Sequence, residues 1–400
     1  MMNQKHPYWE NPLDNKFTVT IITCTKDGNI YKAKIKEDVI RPAGGGQAGD
    51  RGTLVIDSTE FKVIDTAMEN DSILLITEKP IPENKIAILE IDLQWRRAMM
   101  RNHTAEHLFV GTLQKMEPEI KLGYIWIDGE RAVIELVGNF NLELLYHAEK
   151  KAQELVSEDV PLSSEFINPT ELNTEVRARE GVSQKELVRI VRIGNYDASA
   201  CSGTHVSRTG DIGCIKIADY KIIDKGVQIE LLTGVNAILH VTEIYNLILR
   251  RRYSYPFEMS QIGAVLDKAK GIVEGQQQLT ERISEIISRL PANEIINEIQ
   301  FKYEILPGFS SNQLRNALKE LRLKGPMAVL YFTPGTKSNL IFWTNELPLE
   351  AKEYIESKVS EMGGKGGGRG DSYTGGFTDV ENPDEVFLNL VKHIREKLNE

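Results

Sequence analysis

Between residues 17 and 90 apolar and polar side chains alternate in short runs, FTVTIITC, TLVIDS, FKVIDT, SILLIT and AILEID, broken by Gly, Asp, Asn or Pro. Successive side chains of a strand face opposite sides of a sheet, so the pattern predicts half-buried strands at close spacing, a small β-barrel or sandwich. At Asp92 the period changes. LQWRRAMMRNHTAEHLFVGTLQKM has apolar residues at three- and four-residue steps and no Gly or Pro before Gly111, which predicts a long helix.

The rest of the chain extends this to an α+β multidomain fold. Residues 1–91 are expected to form the β-barrel domain, interrupted by the glycine-dense loop RPAGGGQAGDRG at 41–52. Residues 92–236 mix the long helix, strands at YIWID and RAVIEL, a second helix near Asn141–Ser157 and the strand VQIELLTG into one α+β domain. Residues 237–291 read as a helical linker. Apolar residues at 262, 265, 269, 272, 279, 283, 286 and 290 make a heptad seam, hence a coiled coil or helical hairpin. Residues 292–400 alternate helices and strands around GGKGGGRGDSYTGGF (363–377), expected as a glycine-rich loop in a C-terminal α/β domain.

Composition narrows the function classes. A formal charge of −10 argues against a general nucleic-acid coat protein, because nonspecific phosphate binding needs dense positive charge, but it leaves a specific RNA partner open. The basic spots at Arg96, Arg97 and Arg101, at Arg250–Arg252 and at Arg322 and Lys324 read mostly as solvated faces. No stretch reads as a signal peptide or a membrane span, so a cytoplasmic protein is expected. Three scattered cysteines cannot make a disulfide framework, and in a reduced compartment a cysteine near histidines suggests a metal ligand.

Two of the seven histidines stand four residues apart in HTAEH, residues 103–107. On a helix, positions i and i+4 share a face, so His103 and His107 can present two nitrogens to one ion. Glu106 precedes the second histidine on another face, which disfavours the zinc-protease mechanism. Alone the pair is weak evidence. CSGTH, residues 201–205, adds a thiol and an imidazole in a tight turn where Gly203 supplies backbone freedom. Together His103, His107, Cys201 and His205 are a donor set of the kind zinc prefers. Cys24 and Cys214 read as core residues, and His147, His240 and His393 as isolated helix-surface or core histidines.

These motifs, HTAEH and CSGTHVSRTGDIG with RPAGGGQAGDRG ahead and GGKGGGRGDSYTGG behind, resemble alanyl-tRNA synthetase beyond its aminoacylation core. In order and extent they are similar to the free-standing AlaX editing proteins in their long form, with a C-terminal domain. Threonyl-tRNA synthetase editing domains share the two ligand pairs but lack the Gly-Gly-Gln loop and the C-terminal unit. The resemblance implies hydrolysis of the ester joining a wrong amino acid, chiefly serine with glycine as a second candidate, to the 3′ end of alanine tRNA. It implies one Zn²⁺ per chain, a tRNA partner and a homodimer through the C-terminal region. It also implies that Gly45, Gly46 and Gln47 help recognise the bound amino acid, and that Lys365 and Arg369 hold tRNA phosphates. Thr204 and Asp211 are candidates to steady the ligands, Asp211 equally a turn residue. Gln228 stands where related sequences often carry an arginine, so a phosphate or carboxylate contact from that position is not expected here.

A synthetase pocket shaped for alanine rejects glycine or serine by only about 1–3 kcal/mol. A second site offering partners to the serine hydroxyl leaves them unpaired with alanine, again at about 1–3 kcal/mol. Zinc can lower the pKa of a bound water or orient the substrate. Four protein ligands normally make a closed structural site, so catalysis asks that one be loosely held, with His205 the candidate, or that coordination expand. Two other readings stay open: a tRNA-binding protein with a purely structural zinc, and a metallohydrolase of small esters.

Overall fold

The alternating runs close on themselves. In a computed structural model describing residues 6–171, 176–177, 187–322 and 324–400, a short helix α1 (Pro7–Glu10) precedes six strands. These are β1 (Lys16–Asp27), β2 (Ile30–Ile35), β3 (Gly52–Ile56), β4 (Thr59–Glu69), β5 (Ser72–Thr77) and β6 (Ile86–Ile91), ordered β1-β2-β5-β4-β3-β6 in a closed barrel. β6 returns to pair with β1, Leu89 opposite Phe17, so no strand edge is left to attract another chain. Val19, Ile21, Leu54, Leu75 and Leu89 fill the inside.

By contact, the chain divides into two units, Met1–Ser254 and Tyr255–Glu400. In the first, α2 (Leu93–Met116) starts at an Asp92 cap whose carboxylate accepts from the Gln94 and Trp95 amides at 2.9 and 3.0 Å. From Asn102 to Leu113 it is buried on all sides, which marks a core helix. It packs among β7 (Lys121–Ile127), β8 (Ala132–Val137), α3 (Leu142–Ser157), and, after β9 (Leu162–Ile167), β10 (Val188–Ile193) and β11 (Asp197–Ala200), the hairpin β12 (Ile215–Ile223) and β13 (Gly226–Thr233). One sheet runs β12-β13-β8-β7 and another β11-β10-β9. The loop 44–48 docks on the edge of the first: Ala48 N donates to Ile127 O and Ile127 N to Gly46 O, both 2.8 Å. This carries the barrel's glycine loop onto the layer that holds α2. Helix α4 (Gly234–Ser254) completes the unit.

The second unit starts with α5 (Ile262–Arg289), then β14 (Glu294–Ile296), β15 (Ile299–Ile305), α6 (Ser311–Lys319), β16 (Met327–Thr333), β17 (Lys337–Asn345), α7 (Ala351–Glu361), β18 (Lys365–Arg369), β19 (Ser372–Thr378) and α8 (Pro383–Asn399). Its sheet runs β14-β15-β16-β17-β19-β18, with β15–β16 parallel and the other pairs antiparallel. β16 is buried throughout because helices cover both faces. Ala328, Leu330 and Phe332 meet α7 and α8, while Met327, Val329 and Tyr331 meet α5 and α6. A fully buried strand loses the alternation of a one-sided one, and MAVLYFT shows none.

Two expectations change here. The stretch expected as a single linker, 237–291, is divided, α4 falling in the first unit and α5 in the second. On α5 the face toward α6 is Thr280, Ser284, Ile287 and Ser288, while Leu279 and Ile286 of the heptad seam stay exposed. The glycine-rich segment is a β-hairpin, β18–β19, turning at Gly370 and Asp371. Glycines suit it because a side chain at 368 would collide with the Ser372 carbonyl at 2.1 Å. Lys365 and Arg369 lie on the exposed outer strand of this hairpin. No helix among the described residues is long and apolar enough to cross a membrane.

Candidate metal centre

α2 delivers His103 and His107 one turn apart, and the loop after β11 delivers Cys201 and His205 against them. Their donor atoms all lie within 4.8 Å of one another. Cys201 Sγ is 3.3 Å from His103 Nε2 and 3.3 Å from His205 Nε2. A tetrahedral ion with Zn–S near ~2.3 Å and Zn–N near ~2.0 Å asks for S···N edges of about 3.5 Å, so the donor set and its spacing fit zinc. The three histidines are nearly fully buried. Burial, with the His103 and His107 rings beside it, holds the His205 pKa well below its ordinary value. A neutral imidazole is the form that ligates. Burial pushes the Cys201 thiol above its ordinary value, opposed by the Gly203 N–H and by Arg189. Metal binding there would displace a proton.

The ligands are held from behind, and mostly by residues the sequence did not single out. Gln47 is fully buried. Its Oε1 lies 2.8 Å from His103 Nδ1 and accepts from the Thr204 amide at 3.3 Å, while Nε2 donates to Thr204 Oγ1 at 3.1 Å. The side chain expected to read substrate is thereby occupied in orienting a ligand, and Thr204 is its partner. Gly45 faces Ser202 across the loop, an added Cβ reaching its Oγ at 3.4 Å. Gly46 carries the carbonyl that docks on Ile127. Behind His205, Thr104 Oγ1 lies 3.2 Å from Nδ1 and also accepts from the Val206 amide at 3.2 Å.

Behind His107 stands Asp197, Oδ2 at 3.7 Å from Nδ1, fixed by Arg177 through bonds of 2.7 and 2.8 Å and by Ser199 Oγ at 2.9 Å. The mid-helix Gly111 makes room for it, since a Cβ there would sit 2.6 Å from Asp197 Oδ1. Gly203 works the same way: a Cβ would lie 2.0 Å from His103 Cε1, so close approach to the ligand ring, and not a positive φ, requires glycine. A carboxylate behind a ligating imidazole fixes its orientation and basicity, and losing it costs about 10–100-fold in metal affinity. Asp197→Asn is expected to weaken zinc by about that factor, measured by competition with a chromophoric chelator; unchanged affinity would show Asp197 to be irrelevant to the centre.

Glu106, read as turned to another face, is buried, its Oε2 3.7 Å from His107 Nε2. It is not one of the four donors. Position 106 is three residues after His103, and on a helix i and i+3 are neighbours, so it borders the face that carries the histidines. Asp211 makes a turn, accepting from Ser207 Oγ at 2.9 Å and the Arg208 amide at 3.3 Å. Gln228 pairs with Glu135 across β13 and β8 at 2.9 Å. Cys24 and Cys214 are free thiols away from the cluster.

The sequence carries independent likenesses to this arrangement. Residues 188–228 match the family profile described as the threonyl and alanyl tRNA synthetase second additional domain, a stretch that includes Cys201 and His205. The alanyl-tRNA editing protein AlaX-L of Pyrococcus horikoshii is 26% identical over 405 aligned residues, covering 98% of both chains. The alanine–tRNA ligase of Shewanella amazonensis is 28% identical over 379 residues, 88% of this chain but 43% of that enzyme. A solved C-Ala domain of alanyl-tRNA synthetase from Aquifex aeolicus covers 27% of the chain at 25% identity, with a TM-score of 0.24. By sequence, this chain is similar over 98% of its length to an alanyl-tRNA editing protein, and over 88% of its length to less than half of an alanine–tRNA ligase.

Proposed function

We propose that the chain is a trans-editing hydrolase releasing serine, and glycine more slowly, from mischarged alanine tRNA at a zinc centre of His103, His107, Cys201 and His205. The observation that carries this is the convergence of three buried imidazoles and a half-buried thiol, each imidazole backed by its own polar partner, beside the Gly45–Gln47 loop. Zinc bound there would supply a Lewis acid and an acidified water. Gln47, Thr104 and Asp197 fix the imidazoles. Thr204 Oγ1 receives the Gln47 amide and keeps its own hydrogen to donate to a substrate hydroxyl, which makes it the residue that favours serine over alanine. Lys365 and Arg369, exposed on the outer strand of the C-terminal hairpin, serve as phosphate contacts, and the same region pairs two chains.

Full-length protein incubated with alanine tRNA charged with serine, glycine or alanine is expected to release serine at least about tenfold faster than alanine, the discrimination one unpaired buried hydrogen bond gives. Release of alanine at the serine rate would refute the editing assignment. One observation favours a second reading: four protein donors describe a closed site, as in a tRNA-binding protein with structural zinc. That protein would bind tRNA and deacylate none of the three.

A further inference from the structure

Beside the metal loop lies a group of aromatic and cationic side chains that braces the loop's carbonyls and still has ring faces and charge that this bracing does not use. Arg189 Nη1 donates to the carbonyls of Cys201 at 3.2 Å and Gly203 at 2.8 Å, and Trp9 Nε1 donates to the carbonyl between them, Ser202 O, at 3.0 Å. The Arg189 guanidinium lies 5.2 Å from the centre of the Trp9 ring, and Phe166 packs on the same ring at 5.6 Å. Arg41, 4% exposed, donates to Gly44 O at 2.7 Å in the loop that faces Ser202. Both carboxylate oxygens of Asp50 are bound by the Arg96 guanidinium rather than by that of Arg41. The Nε atoms of Arg41 and Arg189 are enclosed with no acceptor among the described residues. A buried guanidinium and a half-buried one, each with an enclosed Nε short of an acceptor, are costly unless something anionic joins them.

We propose that Trp9, Phe166, Arg41 and Arg189 form the seat of the 3′-terminal nucleotide of the RNA substrate. The rings stack on its base and the two guanidinium charges attract its phosphodiester. Aromatic faces with arginine are how proteins hold unpaired nucleotides. The seat abuts Cys201 through the loop carbonyls, so a nucleotide held there brings its 3′-ester to the metal centre. The inference rests on the editing function proposed above, and deepens it.

Binding of uncharged RNA tests it without asking for hydrolysis. A minihelix ending in CCA is compared with the same minihelix lacking the terminal adenylate, by fluorescence anisotropy with full-length protein. Removing the nucleotide is expected to weaken wild-type binding about tenfold or more, a usual worth of one stacked base. Trp9→Ala should bind both RNAs equally, at the affinity of wild type for the truncated one, and Trp9→Phe should restore most of the preference. Arg41→Met should lower the slope of log affinity against log salt by about 0.7, one phosphate contact on a single strand. Zinc content, measured on every variant, should stay at the wild-type level. If Trp9→Ala weakens both RNAs alike, or Arg41→Met leaves the slope unchanged, the seat is not there. Serine release without terminal-nucleotide preference overturns this inference alone; preference without release overturns the hydrolase reading alone.

Discussion

Cys201→Ala is expected to strip zinc from the protein and to lower serine release by more than about a hundredfold, beyond what loss of an outer-shell partner costs. Cys201 is the only thiol in the cluster, with Sγ at 3.3 Å from two imidazole nitrogens. The thiolate is also the cluster's only anionic donor. Without it a divalent cation would face three neutral rings in a buried site, with Arg41 and Arg189 nearby as repelling charges. The measurements are zinc per chain after dialysis, by atomic absorption, and single-turnover release of serine. Cys214→Ala supplies the control, since Cys214 is half-buried and outside the cluster. Circular dichroism of the 201 variant should keep its strand and helix signals, because the barrel core is built from residues outside the metal loop. A Cys201→Ala protein that holds a full zinc and turns over normally would remove this thiol from the mechanism.

The cluster of four donor side chains was legible in the sequence because its signal is local: i and i+4 on one helix, and four residues in one loop. The barrel was legible because a strand with one wet face must alternate. What escaped is contact between distant segments. Nothing near His107 announces Asp197, and Thr104 reads as helix filler until Val206 and His205 close over it. Gly111 gave a signal that went unread: a glycine in the middle of a buried helix costs about 1 kcal/mol against alanine, so something must press against it. Gln47 was found, but its bonds to His103 and Thr204 were not, since a loop motif says that a side chain is special without saying which protein groups it meets. The hairpin β18–β19 hid for a different reason. Glycine is unfavourable in strands, and only the close approach of partner-strand atoms shows why it is needed, Tyr373 Oη and Thr374 O at Gly366 and Ser372 O at Gly368.

Arg96→Met is expected to destabilise the first unit by about 3–5 kcal/mol, the usual cost of leaving one member of a buried ion pair alone. Arg96 is 0% exposed and Asp50 1%. The guanidinium binds both carboxylate oxygens, Nε to Oδ1 at 2.6 Å and Nη2 to Oδ2, and its Nη1 donates to Pro12 O at 2.6 Å. Asp50 Oδ2 also accepts the Arg41 amide at 2.6 Å, so methionine would strand a buried anion and loosen the loop it organises. For a unit of this size a loss of that order lowers Tm by roughly 6–20 °C, readable by differential scanning calorimetry as a shift confined to one transition. A functional consequence follows from geometry. Asp50 lies three residues beyond Gln47, and Arg96 lies two helical turns before His103 on α2. The ion pair therefore clamps the barrel loop to the metal-bearing helix, and the bond between Gln47 and His103 depends on that clamp. Zinc affinity in Arg96→Met should fall even at temperatures where the unit stays folded. Replacing Asp50 with leucine as well should recover little, because the Arg41 amide then loses its acceptor. A variant with lowered Tm but unchanged zinc affinity at 20 °C would reduce the pair to a stabilising contact with no hold on the site.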